Sequence, residues 1–64
     1  MKNKELIRIL KDHNFVLIRA SGHAIYSNGT ITVAVPNKNE HSKGLVRRIF
    51  QQSGLNKQDI AKYL

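Results

Sequence analysis

The sequence predicts an α+β fold in which helices pack on one face of a three-stranded antiparallel sheet, in the order α-β-β-β-α. Three observations predict it: apolar residues recur at helical spacing near both ends of the chain, a dense apolar run follows the first helix, and Asn28-Gly29 separates two short β-branched runs. With 64 residues, the chain is expected to form one domain, residues 1–64, with a thin core.

The first helix is predicted from about Asn3 to His13, with Asn3 as its cap and Asn14 in the left-handed conformation that ends it. Its apolar stripe consists of Leu6, Ile7, Ile9 and Leu10. The following segment, Phe15 to Ala20, is apolar, β-branched and too short for a helix. It is therefore predicted to be a largely buried strand.

The next two strands are predicted at His23–Ser27 and Thr30–Val35, joined by Asn28-Gly29 as a two-residue type I′ turn. This turn places Ser27 opposite Thr30. Tyr26 then lies on an apolar face, and His23 lies on the mixed, hydroxyl-rich face, which is expected to meet solvent.

Pro36 ends the third strand, and a second helix is predicted from Ser42, its cap, to about Ser53. Gly54 ends that helix, and a short third helix follows from Asn56. The inward residues are predicted to be Leu45, Val46, Ile49 and Phe50 in the second helix, and Ile60, Tyr63 and Leu64 in the third.

Composition narrows the classes of function. Eleven Lys and Arg against four Asp and Glu give a net charge of +7, which favours a polyanionic partner such as nucleic acid, or an acidic protein. There is no cysteine, and no apolar run approaches the ~20 residues that a membrane helix needs. We therefore expect a soluble, cytoplasmic protein without membrane contact.

His23 is the candidate catalytic residue, because an exposed imidazole beside cations suits acid–base cleavage of a phosphodiester. The alternative is an exposed strand histidine without a role. His13 is more simply explained as a cation at a helix C-terminus, and His41 lies in a polar loop. The histidines have no metal-ligand spacing, so no metal and no cofactor is predicted.

Three segments resemble the HicA toxin family, the mRNA interferases of bacterial toxin–antitoxin modules. They are E-L-I-R-I-L-K-D-H-N-F-V-L-I-R, S-G-H-A-I-Y, and V-P followed by K-G-L-V-R-R-I-F-Q-Q-S-G-L. In the histidine segment, the serine and glycine are exchanged relative to the family pattern, and Ala24 replaces a second histidine. Arg19 also stands one residue closer to His23 than in the commonest family form.

The resemblance implies a fold similar to a double-stranded-RNA-binding domain, cleavage of mRNA, and a HicB-type antitoxin that covers the site. Carried over by position, the catalytic residue is His23. For RNA binding we expect the transcript to dock on Lys38, Lys43, Arg47 and Arg48. Arg19 is the candidate for stabilising the phosphorane, and Gly22 either admits the RNA backbone or serves only the turn. The free toxin is expected to be a monomer.

Two other functions remain open from the residues alone. The second and third helices resemble a DNA-binding helix-turn-helix, in which Lys57 and Lys62 would supply charge, and Asn56 and Gln58 would read bases. Alternatively, the basic surface binds an acidic protein without catalysis, and Lys43, Arg47 and Arg48 are only the solvated side of their helix.

Overall fold

The computed structural model describes all 64 residues and confirms the predicted α+β class. Its elements in chain order are α1 (Asn3–Asp12), β1 (Val16–Arg19), β2 (Ala24–Ser27), β3 (Thr32–Val35), α2 (Lys43–Gln52) and α3 (Lys57–Tyr63). The strands form one antiparallel sheet in the order β1-β2-β3, so β1 and β3 are both edges.

One face of the sheet packs on the helices to form a single core. The eleven buried apolar residues are Leu6, Ile9, Leu10, Phe15, Tyr26, Val33, Val35, Val46, Ile49, Phe50 and Leu55. On β3, Val33 and Val35 are buried whereas Thr32 and Ala34 are exposed. This alternation is typical of a strand with one dry and one wet face, and it leaves the other side of the sheet open.

The helix ends follow local side-chain chemistry. The Ser42 hydroxyl accepts a hydrogen bond from the Leu45 backbone N–H at 3.2 Å, and the Asn56 amide oxygen accepts one from the Asp59 N–H at 2.8 Å. Asn14, at φ 70°, and Gly54, at φ 85°, take left-handed conformations after α1 and α2. The predictions for Ser42, Asn14 and Gly54 are confirmed, and α3 starts directly after Asn56, which caps it.

The prediction that Asn3 caps α1 is wrong. Lys2 occupies the capping position without a side-chain hydrogen bond, and Asn3 is the first helical residue. The Asn3 amide oxygen is instead 2.8 Å from Nε2 of His41. The Asn3 side chain therefore bonds to a residue distant in sequence and does not cap the helix. His13, predicted as the last helical residue, is the C-cap.

The hairpin register is also different from the prediction. Ser27 pairs with Thr32 and Tyr26 with Val33, so the loop has four residues, Asn28 to Ile31, and not two. The Asn28 amide oxygen accepts hydrogen bonds from the Thr30 and Ile31 N–H groups at 2.9 and 2.7 Å. This side-chain bonding holds a longer loop than a type I′ turn would need. Because the shift is two residues, the assignment of side chains to faces is unchanged.

The prediction of a largely buried first strand is wrong. Phe15, just before β1, is 1% exposed, whereas all four residues of β1 are exposed. A dense apolar run is typical of a strand covered on both faces, but β1 lies at an edge of a sheet that has helices on one side only. A β-bulge at Ile18 further interrupts the pairing of β1 with β2.

Candidate functional site

One end of the sheet gathers the candidate residues of the connection between β1 and β2. Arg19 is the last residue of β1, and His23 directly precedes β2. β3 finishes at the same end, because Val35 pairs with Ala24. The chain leaves β3 at this end and reaches the exposed residue Lys38 three positions after Val35, while Arg19 and His23 are exposed on the connection between β1 and β2.

The connection from Ala20 to His23 is fully on the surface, and Gly22 sets its shape. Gly22 has φ +80°, a conformation that side chains disfavour. No atom lies within 4 Å of the position that a Cβ would occupy there, so backbone geometry and not crowding explains the glycine. The tight bend turns the chain from β1 into β2 and leaves His23 exposed, as predicted.

The β-bulge at Ile18 decides where Arg19 points. Leu17 pairs with Tyr26, but Arg19 and not Ile18 pairs with Ile25. Residues paired across antiparallel strands share a face, so Arg19 lies on the face of Ile25, which is opposite to that of buried Tyr26. The extra residue has therefore moved a cation to the open face at the end of β1 that leads into the His23 connection.

The remaining candidate cations lie on α2. Lys43 is its first residue, Arg47 follows one turn later, and Arg48 is about 100° further around the helix. All three are exposed. Arg47 also lines a shallow cleft of about 390 Å³ between α2 and α3, together with Lys57 and Ile60. The predicted site residues therefore lie on two parts of the fold, the connection between β1 and β2 and the exposed surface of α2.

His41 lies in the loop between β3 and α2, as predicted, but it is buried there, at 4% exposure. Its Nε2 contacts Asn3 Oδ1, its backbone N–H donates to the Met1 carbonyl at 2.9 Å, and its carbonyl accepts from the Met1 ammonium at 3.0 Å. Burial, followed by the positive charges of the N-terminal ammonium and Lys38, lowers the pKa of His41 below its usual value.

No pattern near His41 in the sequence indicated this role, because its partners are 38 and 40 residues away. The ring's Nδ1 atom is buried without a hydrogen-bond partner. A proton added there would have no acceptor, which is a further reason for the neutral form. His41 therefore joins the start of α1 to the segment that precedes α2.

The remaining ring-bearing candidates are structural. The His13 ring meets Tyr63 edge-on at a centroid distance of 6.2 Å, and Tyr63 in turn packs on Phe50 at 5.7 Å. Tyr26 is 6% exposed, in agreement with its predicted inward register, and burial raises the pKa of its hydroxyl. No three His, Asp or Glu side chains form a cluster that could hold a metal ion.

The structure leaves few side chains of α3 free to contact DNA, which weakens the helix-turn-helix hypothesis. The Asn56 side chain caps α3 and is not free to read bases. Ile60, Tyr63 and Leu64 pack against the core, which leaves Lys57, Gln58 and Lys62 as the exposed polar residues that this reading singled out. In addition, no helix of the protein has the length and apolar character needed to cross a membrane.

Comparison with known proteins gives one match. The family described as HicA toxin of bacterial toxin–antitoxin matches residues 4–55, which include α1 except its first residue, the whole sheet and α2. No curated protein and no solved structure matches the chain. Membership of this family implies a cognate antitoxin as partner. The chain therefore belongs to the HicA family, as a toxin of a toxin–antitoxin module.

Proposed function

We propose that this toxin is a metal-independent endoribonuclease that cleaves mRNA, with His23 as its general base. The observation that carries the proposal is the exposed position of His23 in the connection that follows Arg19, at the end of the sheet from which Lys38 also emerges. An imidazole titrates near neutral pH, and the cations favour a phosphate beside it.

The reaction uses the nucleophile that RNA itself carries. His23 takes the proton of a ribose 2′-hydroxyl, and the oxygen then attacks the adjacent phosphorus. The bond from phosphorus to the 5′-oxygen breaks, and that oxygen takes up a proton. The products are a 2′,3′-cyclic phosphate and a 5′-hydroxyl. A metal-activated water is not needed because the attacking oxygen comes from the substrate.

The other candidate residues bind the RNA phosphates or stabilise the phosphorane. Arg19, directed to the open face by the bulge, lies at the end of β1 that leads to His23 and balances the extra negative charge of the phosphorane. Gly22 has no side chain, so the RNA backbone approaches the connection closely. Lys38 and Lys43 contact neighbouring phosphates, and Arg47 and Arg48 extend the contact along α2.

Two substitutions, one in the protein and one in the substrate, test this proposal. His23→Ala should abolish growth arrest and RNA cleavage while circular dichroism shows an unchanged fold. A 2′-deoxyribose at the cleaved position should block the reaction of the unaltered toxin, because the nucleophile is gone. If the deoxy substrate is cut, the attacking group is not the 2′-hydroxyl, and this mechanism is wrong.

A non-catalytic toxin that only binds nucleic acid through its charge is the other candidate. Its supporting observation is the row of exposed cations on α2, Lys43, Arg47 and Arg48. In that case, His23→Ala would leave toxicity unchanged, and charge reversal on α2 would remove it. Cleavage products with a 2′,3′-cyclic end would decide for the endoribonuclease.

A further inference from the structure

The two edges of the sheet differ in what they expose. On β3, the exposed residues are Thr32 and Ala34, which are small or hydroxylated. On β1, three consecutive large apolar side chains are accessible: Val16 at 60%, Leu17 at 49% and Ile18 at 58%. An accessible edge strand of this composition is a site at which another chain pairs, unless the edge is protected.

The faces of β1 indicate which kind of partner would fit. Val16 pairs with Ser27 and Leu17 with Tyr26, so these two neighbours point to opposite faces of the sheet. A helix laid on one face would leave the other side chain in solvent. A strand added beside β1 would flank both, because its own side chains also alternate between the faces, and it would use the outward backbone groups of the edge.

Charge indicates the composition of that strand. A second copy of this chain would bring another +7 to the same contact. An acidic segment would instead be attracted by the net charge, and a carboxylate opposite Arg19 would pair with it. The bulge at Ile18 and the cation at Arg19 both oppose pairing with an arbitrary strand, so the edge favours a matched partner.

We propose that the free edge of β1 is the docking site for an extended, acidic segment of the cognate antitoxin, which pairs with Val16–Arg19 as a fourth strand. This inference rests on the family assignment and not on ribonuclease activity. Because β1 continues directly into the connection that ends at His23, an occupant of this edge would also lie beside that connection.

Two matched lysine variants test the inference. Ile18→Lys places a charge on the β1 edge, and Thr32→Lys places the same charge at an exposed position of the other edge strand. In calorimetric titrations with the purified antitoxin, Ile18→Lys should weaken binding about tenfold or more, as loss of a few cross-strand pairs predicts. Thr32→Lys should change the affinity about twofold or less, since it only adds a distant charge.

Hydrogen exchange of the unaltered complex provides a measurement that does not depend on a variant's folding. Antitoxin binding should slow exchange at amides of Val16–Arg19 and leave β3 amides unchanged. Equal loss of affinity in the two lysine variants, or no protection of β1, would refute the proposal. It would also be refuted if sedimentation showed the free toxin to be a dimer that Ile18→Lys dissociates. None of these readouts requires RNA cleavage, so a failed ribonuclease assignment would be seen separately.

Discussion

His41 and His23 are the same side chain in opposite environments. His41 is buried and bonded through its ring to Asn3 and through its backbone to Met1, and its pKa is lowered by burial and nearby positive charge. His23 is exposed on a bend beside β2. Position in the fold therefore decides that His41 joins the N-terminal segment to the loop before α2, whereas His23 is accessible to a substrate.

The largest expected effect is the loss of activity when the His23 ring is removed. His23→Ala should lower the rate of RNA cleavage by about 10² to 10⁴, the contribution of a positioned acid or base. Its free energy of unfolding should change by only about 0.5 kcal/mol, as expected for an exposed position. Cleavage assays with purified toxin and urea unfolding check both quantities. If the His23→Ala protein still cleaved RNA at the original rate, His23 would have no catalytic role.

The complementary change should affect stability. His41→Ala leaves the Asn3 amide oxygen without its donor and empties a buried position, so we expect a loss of about 1–3 kcal/mol. Thermal unfolding should shift by about 4–8 °C for each kcal/mol in a domain of this size.

Asn3→Ala is the matched control for this change because it removes the same hydrogen bond from the other side. In the double variant, the two losses should be less than additive. Full additivity would mean that the contact between the His41 and Asn3 side chains contributes nothing to stability.

Nearby cations also distinguish the environments of the two histidines. Arg19 lies near the His23 connection, whereas Lys38 acts on the pKa of His41. Arg19→Ala should reduce cleavage about 10²-fold through weaker stabilisation of the phosphorane. Arg48→Ala, on α2, should mainly weaken RNA binding and reduce its salt dependence. In single-turnover assays, the rate constant at saturating toxin reports the cleavage step, and the toxin concentration at half-saturation reports RNA binding. Equal losses of rate constant and of RNA affinity in both variants would contradict these separate roles.

The smallest expected effect is a pH dependence of stability. The folded-state pKa of His41 lies below its unfolded value of about 6.5, so the unfolded chain binds the proton more readily. Stability should therefore be complete above about pH 6.5 and fall as the pH decreases from there toward the folded pKa. Unfolding free energies across this window check the sign. His41→Ala should flatten this part of the profile, and a slope that persists in that variant would come from another group.

The parts of the fold that could be predicted are those with local causes. The Ser42 cap and the left-handed residues Asn14 and Gly54 follow from residues at the helix ends themselves. The exposure of His23 was also predictable. It was predicted from the alternation of faces, but in the structure His23 precedes β2 and is exposed because it lies on the surface connection of residues 20–23.

The features that sequence reasoning missed depend on distant contacts. The hairpin register is the exception, because the loop from Asn28 to Ile31 is held by hydrogen bonds from the Thr30 and Ile31 N–H groups to the Asn28 side chain, which compete locally with the short turn. The partners of His41 are 38 or more residues away. The exposure of β1 depends on the sheet order and on the side that the helices cover, and the composition of the strand predicts neither.

The four-residue hairpin loop has a consequence for how such chains can vary in length. The four residues Asn28–Ile31 lie outside the strand pairing, so an added residue there lengthens the loop while Ser27 still pairs with Thr32, and Val33 and Val35 stay inside. An extra residue within β3, between Val33 and Val35, would instead turn Val35 to solvent. We therefore expect changes of length to be tolerated in this loop and to destabilise the fold inside the strand.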